Sequence, residues 1–241
     1  MNFVTLKLRH CPHCQNPVRA SNLIEDCLEG TRFWSDGKLD AHGLPTTRAY
    51  ARCPTCHEPF KMSDARRNNE PALMGTAAPK PEWIDGKGFL QLIELAESAE
   101  DREEEKRLRI DYWLHLNDGL RNGHLRLRPV IDEAWKPALD ENLARLAPLL
   151  NEMIPEERLR KGELLRERGF CDEALKMLTG LPAKLQWAAD RIATHAAAGN
   201  EALFGLDKGS DGWTPIPPAR GNNRSIADLI GLGKRPDSRP D

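Results

Sequence analysis

The sequence predicts an α+β protein in which a small N-terminal β module precedes a larger all-α domain and a disordered tail. Two cysteine turns with short alternating segments beside them predict the β module at residues 1–68. Amphipathic periodicity predicts helices over residues 83–200, after a linker at 69–82 in which three prolines disfavour regular structure. Repeated Gly, Pro, Asn and Asp predict that the last segment, 201–241, is disordered.

Composition narrows the class of protein. The 241 residues are 39% hydrophobic and 30% charged, with a net charge of −2. The first 25 residues contain no continuous apolar run, so we expect neither a signal peptide nor a membrane span, and a cytoplasmic location follows. Thiols stay reduced there, so paired cysteines indicate metal ligands or redox groups rather than structural disulfides. The near-balanced charge does not favour a strongly basic nucleic-acid domain.

The cysteine turns are the strongest chemical signal. Cys11-Pro12-His13-Cys14 and Cys53-Pro54-Thr55-Cys56 each have the form C-P-x-C, and 38 residues separate them. One such turn places two thiolates on a metal ion, and two complete a tetrahedral four-cysteine site, which favours Zn²⁺ with the ligands Cys11, Cys14, Cys53 and Cys56. Iron uses the same ligand set. The alternative is that one pair is a thioredoxin-type dithiol, which would begin a helix; Pro17 and the polar run after Cys14 disfavour a helix there.

Short strands are predicted beside these turns. The alternating segment 3–8 leads into the first turn, and Tyr50-Ala51-Arg52 leads into the second. Between them, residues 31–34 are a predicted strand, followed by a tight turn at Ser35–Lys38 because Asp-Gly supplies a residue with positive φ. Phe33 and Trp34 are interpreted as part of the small core of this module rather than as a base-stacking platform.

Residues 1–60 therefore resemble the zinc-ribbon family: a strand, a C-P-x-C turn, a hairpin and a second C-P-x-C turn. The resemblance implies a structural metal held by the four cysteines with no open position for water. Two departures stand out. Gln15 and His57 occupy positions where ribbons often have Gly, and the long spacing requires an insertion, which we place at residues 20–29. Zinc ribbons bind either nucleic acids or proteins.

Four nearby or remote side chains are interpreted as non-ligands. Two histidines within or beside the turns are read as exposed or supporting polar groups, and two further cysteines as small buried hydrophobes. These residues are His13, His57, Cys27 and Cys171.

The helical region is predicted as a series of helices. The first long helix spans Asp101–Asn117, another lies within 133–153, and Pro155 begins the next at its first position. Gly180-Leu181-Pro182 ends a short helix, and Ala183–Ala198 forms the last.

Residues 156–178 resemble one tetratricopeptide repeat. Gly162, Gly169, Ala174 and Leu178 fall at that repeat's small, turn, small and large positions. The resemblance implies a stack of helical hairpins that binds other proteins; an ordinary helical bundle is the alternative. The whole layout also resembles a set of uncharacterised bacterial proteins with an N-terminal zinc ribbon and a helical region.

No catalytic motif is recognisable, and His115 and His124 around Asp118 are interpreted as a solvated turn rather than a dyad. We therefore expect a non-enzymatic, zinc-binding adaptor that binds another protein through its helical region.

The predicted binding surface includes Glu163, Arg166 and Glu167. The alternatives are a nucleic-acid-associated ribbon protein and a thiol redox enzyme that uses one CxxC pair. The first would use a basic patch formed by Arg19, Arg32, Arg48 and Arg52.

Overall fold

The structure is a computed structural model that describes residues 5–22, 32–40, 49–67, 78–125 and 135–206. It is an α+β fold with antiparallel β-hairpins at the N-terminal end and helices after them, as predicted. Two compact units are present, each assembled from two stretches of chain. Unit 1 comprises Met1–Thr31 and Asp40–Asn142, and unit 2 comprises Arg32–Leu39 and Leu143–Asp241. The predicted division into module, linker, helical domain and tail stays a prediction, and the tail beyond Leu206 lies outside the described residues.

Two β-hairpins form the cysteine-bearing part of unit 1. Strands β1 (Thr5–His10) and β2 (Pro17–Asn22) pair antiparallel from Thr5↔Asn22 to His10↔Pro17. Strands β5 (Tyr50–Arg52) and β6 (Pro59–Lys61) form the second hairpin, and β7 (Arg66–Arg67) pairs with the free edge of β1. Each cysteine turn therefore closes its own hairpin.

After the hairpins, unit 1 continues with helices α1 (Gly86–Ser98) and α2 (Arg102–Leu125). The Asp85 side chain caps α1 by accepting the Gly88 N–H at 2.8 Å. Helix α2 continues through Asn117, Asp118 and Gly119, so the turn predicted there is wrong. Asn117 is buried in the described structure, and the single glycine does not interrupt the helix.

The second hairpin is attached directly to these helices. Tyr50 shares a core with Ile84, which precedes α1, and with buried apolar side chains of α1 and α2, namely Phe89, Ile93, Leu108 and Tyr112. The Tyr50 hydroxyl donates to the Glu104 carboxylate at 2.9 Å, and Lys61 pairs with the same carboxylate at 2.5 Å. The hairpin and the start of α2 thus form one packed body.

The end of the predicted linker is hydrogen-bonded to both hairpins. Arg52 and Glu82 exchange backbone hydrogen bonds at 3.0 and 2.9 Å, and the Arg19 N–H donates to the Pro79 carbonyl at 3.0 Å. Residues 78–82 therefore belong to unit 1, whereas residues 69–77 lie outside the described part.

Unit 2 contains a helical core. Helix α3 (Trp135–Leu146) crosses the boundary between the units and leads into a short 3-10 turn at Ala147–Leu149. Helices α4 (Pro155–Glu167), α5 (Cys171–Leu178) and α6 (Ala183–Ala197) follow, and α6 packs against both α4 and α5. Pro155 opens α4 as predicted. None of the helices in the described ranges is long and apolar enough to cross a membrane.

A third hairpin, β3 (Arg32–Phe33) and β4 (Leu39–Asp40), confirms the predicted Asp-Gly turn, with Gly37 at φ +87°. Its packing differs from the prediction. Phe33 packs on the helical core of unit 2 and meets the Trp187 ring edge-on at 6.4 Å between centroids. The interpretation of Phe33 and Trp34 as the core of the cysteine module is wrong, because β3 finds its apolar partners on α6.

Candidate metal centre

The four predicted cysteines converge in unit 1. All four Sγ atoms lie within 4.8 Å of one another, with Cys11 and Cys56 at 3.8 Å and Cys14 and Cys53 at 3.7 Å. A tetrahedron with metal–sulfur bonds of about 2.3 Å has edges of about 3.8 Å, so the sulfur spacing fits one zinc-sized ion. A disulfide would need about 2.05 Å, so these four sulfurs belong to free thiols rather than to two bonded pairs.

The two turns share one backbone geometry. In the first, the Cys11 carbonyl accepts the Gln15 N–H at 3.0 Å and the Cys11 N–H donates to Asn16 at 3.0 Å. In the second, the Cys53 carbonyl accepts the His57 N–H at 2.9 Å, and the Cys53 N–H donates to residue 58 at 3.0 Å. Equivalent turns at the tips of two hairpins therefore present their cysteines to a common centre.

Gln15 and His57 explain how the chain departs from the ribbon pattern without losing this geometry. Their φ angles are +59° and +60°, in the left-handed region that glycine adopts most easily. The residue after each second cysteine thus has the required backbone conformation despite its side chain. The Gln15 amide offsets part of the cost by donating to the Pro12 carbonyl at 3.1 Å.

Backbone and side-chain N–H groups face the sulfurs. Asn16 Nδ2 lies 3.5 Å from Cys14 Sγ, and the Thr55 N–H lies 3.4 Å from Cys53 Sγ. A hydrogen bond from the Asn16 backbone N–H lowers the pKa of Cys14 to about 6. These donors stabilise sulfur as thiolate, the form that binds metal.

Burial acts in the opposite direction on two other thiols. It raises the pKa of Cys11, and it raises the pKa of Cys56 to about 12. Cys11 and Cys53 are wholly buried among Val18 and Phe60. Without a cation, the thiolates of Cys11 and Cys56 are disfavoured, whereas a bound divalent ion would supply the charge that deprotonates them.

The neighbouring candidates lie outside the cluster. His13 Nε2 is 3.2 Å from the Pro59 carbonyl, and His57 Nδ1 is 3.9 Å from the Glu82 carboxylate. Cys171 is half-buried at the first position of α5 in unit 2, and Cys27 lies outside the described residues. Among the described residues, the group that can hold a metal contains the four cysteines alone.

The structure also locates members of two other predicted groups, the histidines on either side of Asp118 and the basic patch. The His115 ring packs against Phe89 at 5.4 Å between centroids, in the core of unit 1, and the side chain of His124 is not described. Arg52 donates to Asp85 and to the His57 carbonyl, both at 2.7 Å. Arg48, another residue of the predicted basic patch, lies outside the described residues.

The predicted polar binding surface on α4 is wrong. Glu163, Arg166 and Glu167 are 1%, 0% and 4% exposed. Arg166 instead donates to both Glu163 carboxylate oxygens and to the Asn200 carbonyl, and it lies over the Phe204 ring at 5.0 Å. The sequence offered one signal for this role: Arg166 and Glu163 stand three residues apart, as paired charges on a helix do.

No family model, curated protein or solved structure matches this chain.

Proposed function

We propose that this chain is a non-enzymatic zinc protein of the cytoplasm that acts as an adaptor between other proteins. The observation that carries the proposal is the convergence of the Cys11, Cys14, Cys53 and Cys56 sulfurs within 4.8 Å of one another, at distances that fit one zinc-sized ion. Four protein thiolates leave no open coordination position for a substrate or an activated water, so the metal's role is structural.

The site also has the position expected of a structural ion. The sulfurs join the tips of two hairpins whose shared core contains few residues besides the cysteines, namely Val18, Ala51, Phe60 and Ala65. Such a small core contributes little free energy by itself. Metal binding at comparable sites supplies on the order of 10 kcal/mol of folding free energy.

The helices of unit 2 support the adaptor role. A Cβ atom on Gly162 would lie 2.8 Å from Leu178 Cδ2, Ala174 is fully buried, and Gly169 has φ +79° in the turn between α4 and α5. These are the close-approach and turn positions of a tetratricopeptide-like hairpin, and α6 packs on α4 as the first helix of a next repeat would. Exposed apolar side chains of this unit offer contact area to a protein partner: Met153, Ile154, Phe170 and Trp187.

Zinc content tests the metal assignment. Elemental analysis of the full chain should give about one zinc per molecule, and Cys11→Ser and Cys56→Ser should lose most of it. Cys171→Ser is the matched control and should keep it, because Cys171 is not in the cluster. If the purified chain instead contains ferric iron with the absorption of a four-thiolate site, the metal is assigned as iron rather than zinc. Full metal retention in the quadruple cysteine variant would overturn the centre.

Partner mapping tests the adaptor role. Affinity purification from the native cell, with cross-linking and mass spectrometry, should place partner cross-links on unit 2, and Trp187→Ala should weaken them. Catalysed reduction of a protein disulfide by the purified chain would favour the redox alternative. Salt-dependent binding to DNA or RNA would favour the nucleic-acid alternative.

A further inference from the structure

The chain crosses between its two units within the segment that joins the metal-binding turns. Cys14 and Cys53 belong to unit 1, but residues Arg32–Leu39, which lie between them, belong to unit 2. We propose that metal binding at the four cysteines holds the β3–β4 hairpin on an apolar surface of unit 2, so that loss of the metal uncovers this surface. The inference rests on the proposed zinc centre.

The hairpin is bound to unit 2 through its backbone. The Ser35 N–H donates to the Phe204 carbonyl at 2.9 Å, and the Leu206 N–H donates to the Phe33 carbonyl at 2.7 Å. Trp34 and Gly205 form an antiparallel bridge. Residues 204–206 therefore pair with the hairpin at one isolated bridge just after β3.

The side chains of the hairpin cover apolar surface between α4 and α6. Phe33 packs against the cluster that contains Leu185, Ala189 and Ile192, and its ring meets Trp187 edge-on. Trp34 is 6% exposed. Removing the hairpin would bare this surface, which suits an aromatic side chain because Phe33 occupies it.

The attachment is limited in extent. Each strand of the hairpin has two residues, and Phe33 is only partly buried. A cavity of about 50 Å³ remains beside it, lined by Leu159, Leu185, Ala188 and Ile192 among others, which is space for more than one water-sized group. So small a contact depends on whatever keeps the hairpin close to its site.

The metal supplies that restraint. With an ion bound, Cys14 and Cys53 are fixed with their sulfurs 3.7 Å apart, and the 38 residues between them form a closed loop. Without it, the Tyr50 end stays attached to the α1–α2 core, and the β1–β2 hairpin keeps the two-residue pairing of β1 with β7 and the Arg19–Pro79 hydrogen bond, but the bonds that join the two cysteine turns are lost. A segment whose two ends are joined less firmly has a lower effective concentration at its binding site than one closed into a loop by a metal.

Hydrogen exchange on the full chain, zinc-loaded and zinc-free, tests the coupling. The amides of Trp34, Ser35 and Leu206 should exchange about tenfold faster without zinc, because a weaker tether lowers the effective concentration of the hairpin at its site. Interior amides of α6, such as those of Ala189 and Ile192, serve as the internal control and should change less than about twofold. Equal protection of the hairpin amides in the two states would overturn the inference.

Thermodynamic linkage between zinc binding and hairpin attachment provides a second test, which does not require the zinc-free protein to be folded. Because coupling between two sites is reciprocal, Phe33→Ala should weaken zinc affinity in a chelator competition by about the same factor as zinc protects the hairpin. Phe170→Ala is the control, because Phe170 is an aromatic residue of the same unit that is 44% exposed and does not belong to the apolar cluster against which Phe33 packs. This variant should leave zinc affinity unchanged. Unchanged affinity in Phe33→Ala would contradict the coupling while leaving the zinc centre intact, whereas absence of zinc from the wild type would remove both.

Discussion

Arg166 donates hydrogen bonds of 2.7 and 2.6 Å to the two carboxylate oxygens of Glu163, and the two side chains are 0% and 1% exposed. Two hydrogen bonds from one guanidinium to one carboxylate make this a bidentate ion pair, in which both hydrogen bonds are strengthened by charge. Its surroundings are also polar, because Arg166 reaches the Asn200 carbonyl as well. The pair thus links α4 to the segment that follows α6.

Removing one partner should be more damaging than removing both. Arg166→Met leaves the Glu163 carboxylate buried without its cation, and we expect a loss of about 3–5 kcal/mol in the free energy of unfolding. Arg166→Met with Glu163→Leu should recover much of that loss, because an apolar pair of similar volume leaves no uncompensated charge. Urea unfolding monitored by circular dichroism, together with hydrogen exchange of the α6 amides, measures the stability of the single and the double variant.

The control is the exposed pair Lys136–Asp140, at 3.2 Å. Lys136→Ala should cost less than about 1 kcal/mol, as surface pairs do. A similar cost at the two sites would show that burial does not set the value of the Arg166 pair.

His195 should make unit 2 less stable in mild acid. Its Nδ1 accepts from Asn200 Nδ2 at 2.9 Å, and its ring stacks on Phe204 at 3.6 Å between centroids. Burial, with the nearby Arg166 cation, lowers the pKa of His195 below its usual 6.5. The unfolded chain therefore binds the proton first as pH falls, so stability rises with pH and is lost below about 6.5.

His195→Gln keeps a hydrogen-bond acceptor but cannot titrate. The stability of α4–α6 measured by hydrogen exchange at pH 7.5 and 5.5 should fall more steeply in the wild type than in this variant. Parallel pH profiles would mean that His195 does not contribute to the acid sensitivity.

The left-handed residue of the second cysteine turn offers a test of backbone strain. His57 has φ +60° and a side chain that is 67% exposed, so glycine should relieve strain at little loss of contact. We expect His57→Gly to retain zinc and to be neutral or more stable by up to about 1 kcal/mol. His57→Val should instead lose roughly 1–2 kcal/mol, since a β-branched residue is poorly tolerated there. Zinc content and chemical unfolding of the loaded chain measure both; equal stability of the two variants would argue against strain.

Two helical glycines should respond oppositely to alanine. A Cβ on Gly162 would lie 2.8 Å from Leu178 Cδ2, and Leu178 is buried at 3% exposure, so Gly162→Ala should cost about 1–3 kcal/mol. Gly119 lies within α2, and a Cβ added there would have no described atom within 4 Å apart from its own helix backbone, so Gly119→Ala should gain roughly 0.5–1 kcal/mol. Thermal unfolding compares them, and a loss at Gly119 would indicate packing against that position.

Local chemistry made part of this structure predictable. The C-P-x-C turns, Pro155 at the start of α4 and the Asp-Gly hairpin turn depend on a few adjacent residues, and the structure contains each of them. The position of Phe33 depends on Trp187, more than 150 residues later, and no local pattern encodes such a pairing. The burial of Arg166 is unpredictable for a related reason: charges three residues apart on a helix form the same sequence pattern whether neighbouring elements cover them or not.

The shared hairpin also constrains how the protein is made. Phe33 and Trp34 leave the ribosome long before their partners, because Gly205 and Leu206 are synthesised more than 160 residues later. At about 5–20 residues per second, that interval lasts roughly 10–30 s. During this time two aromatic side chains have no binding surface, so the nascent chain exposes them to chaperones and to other chains. Unit 2 can complete its fold only after Leu206 has been synthesised, although one of its strands precedes that residue by more than 160 positions.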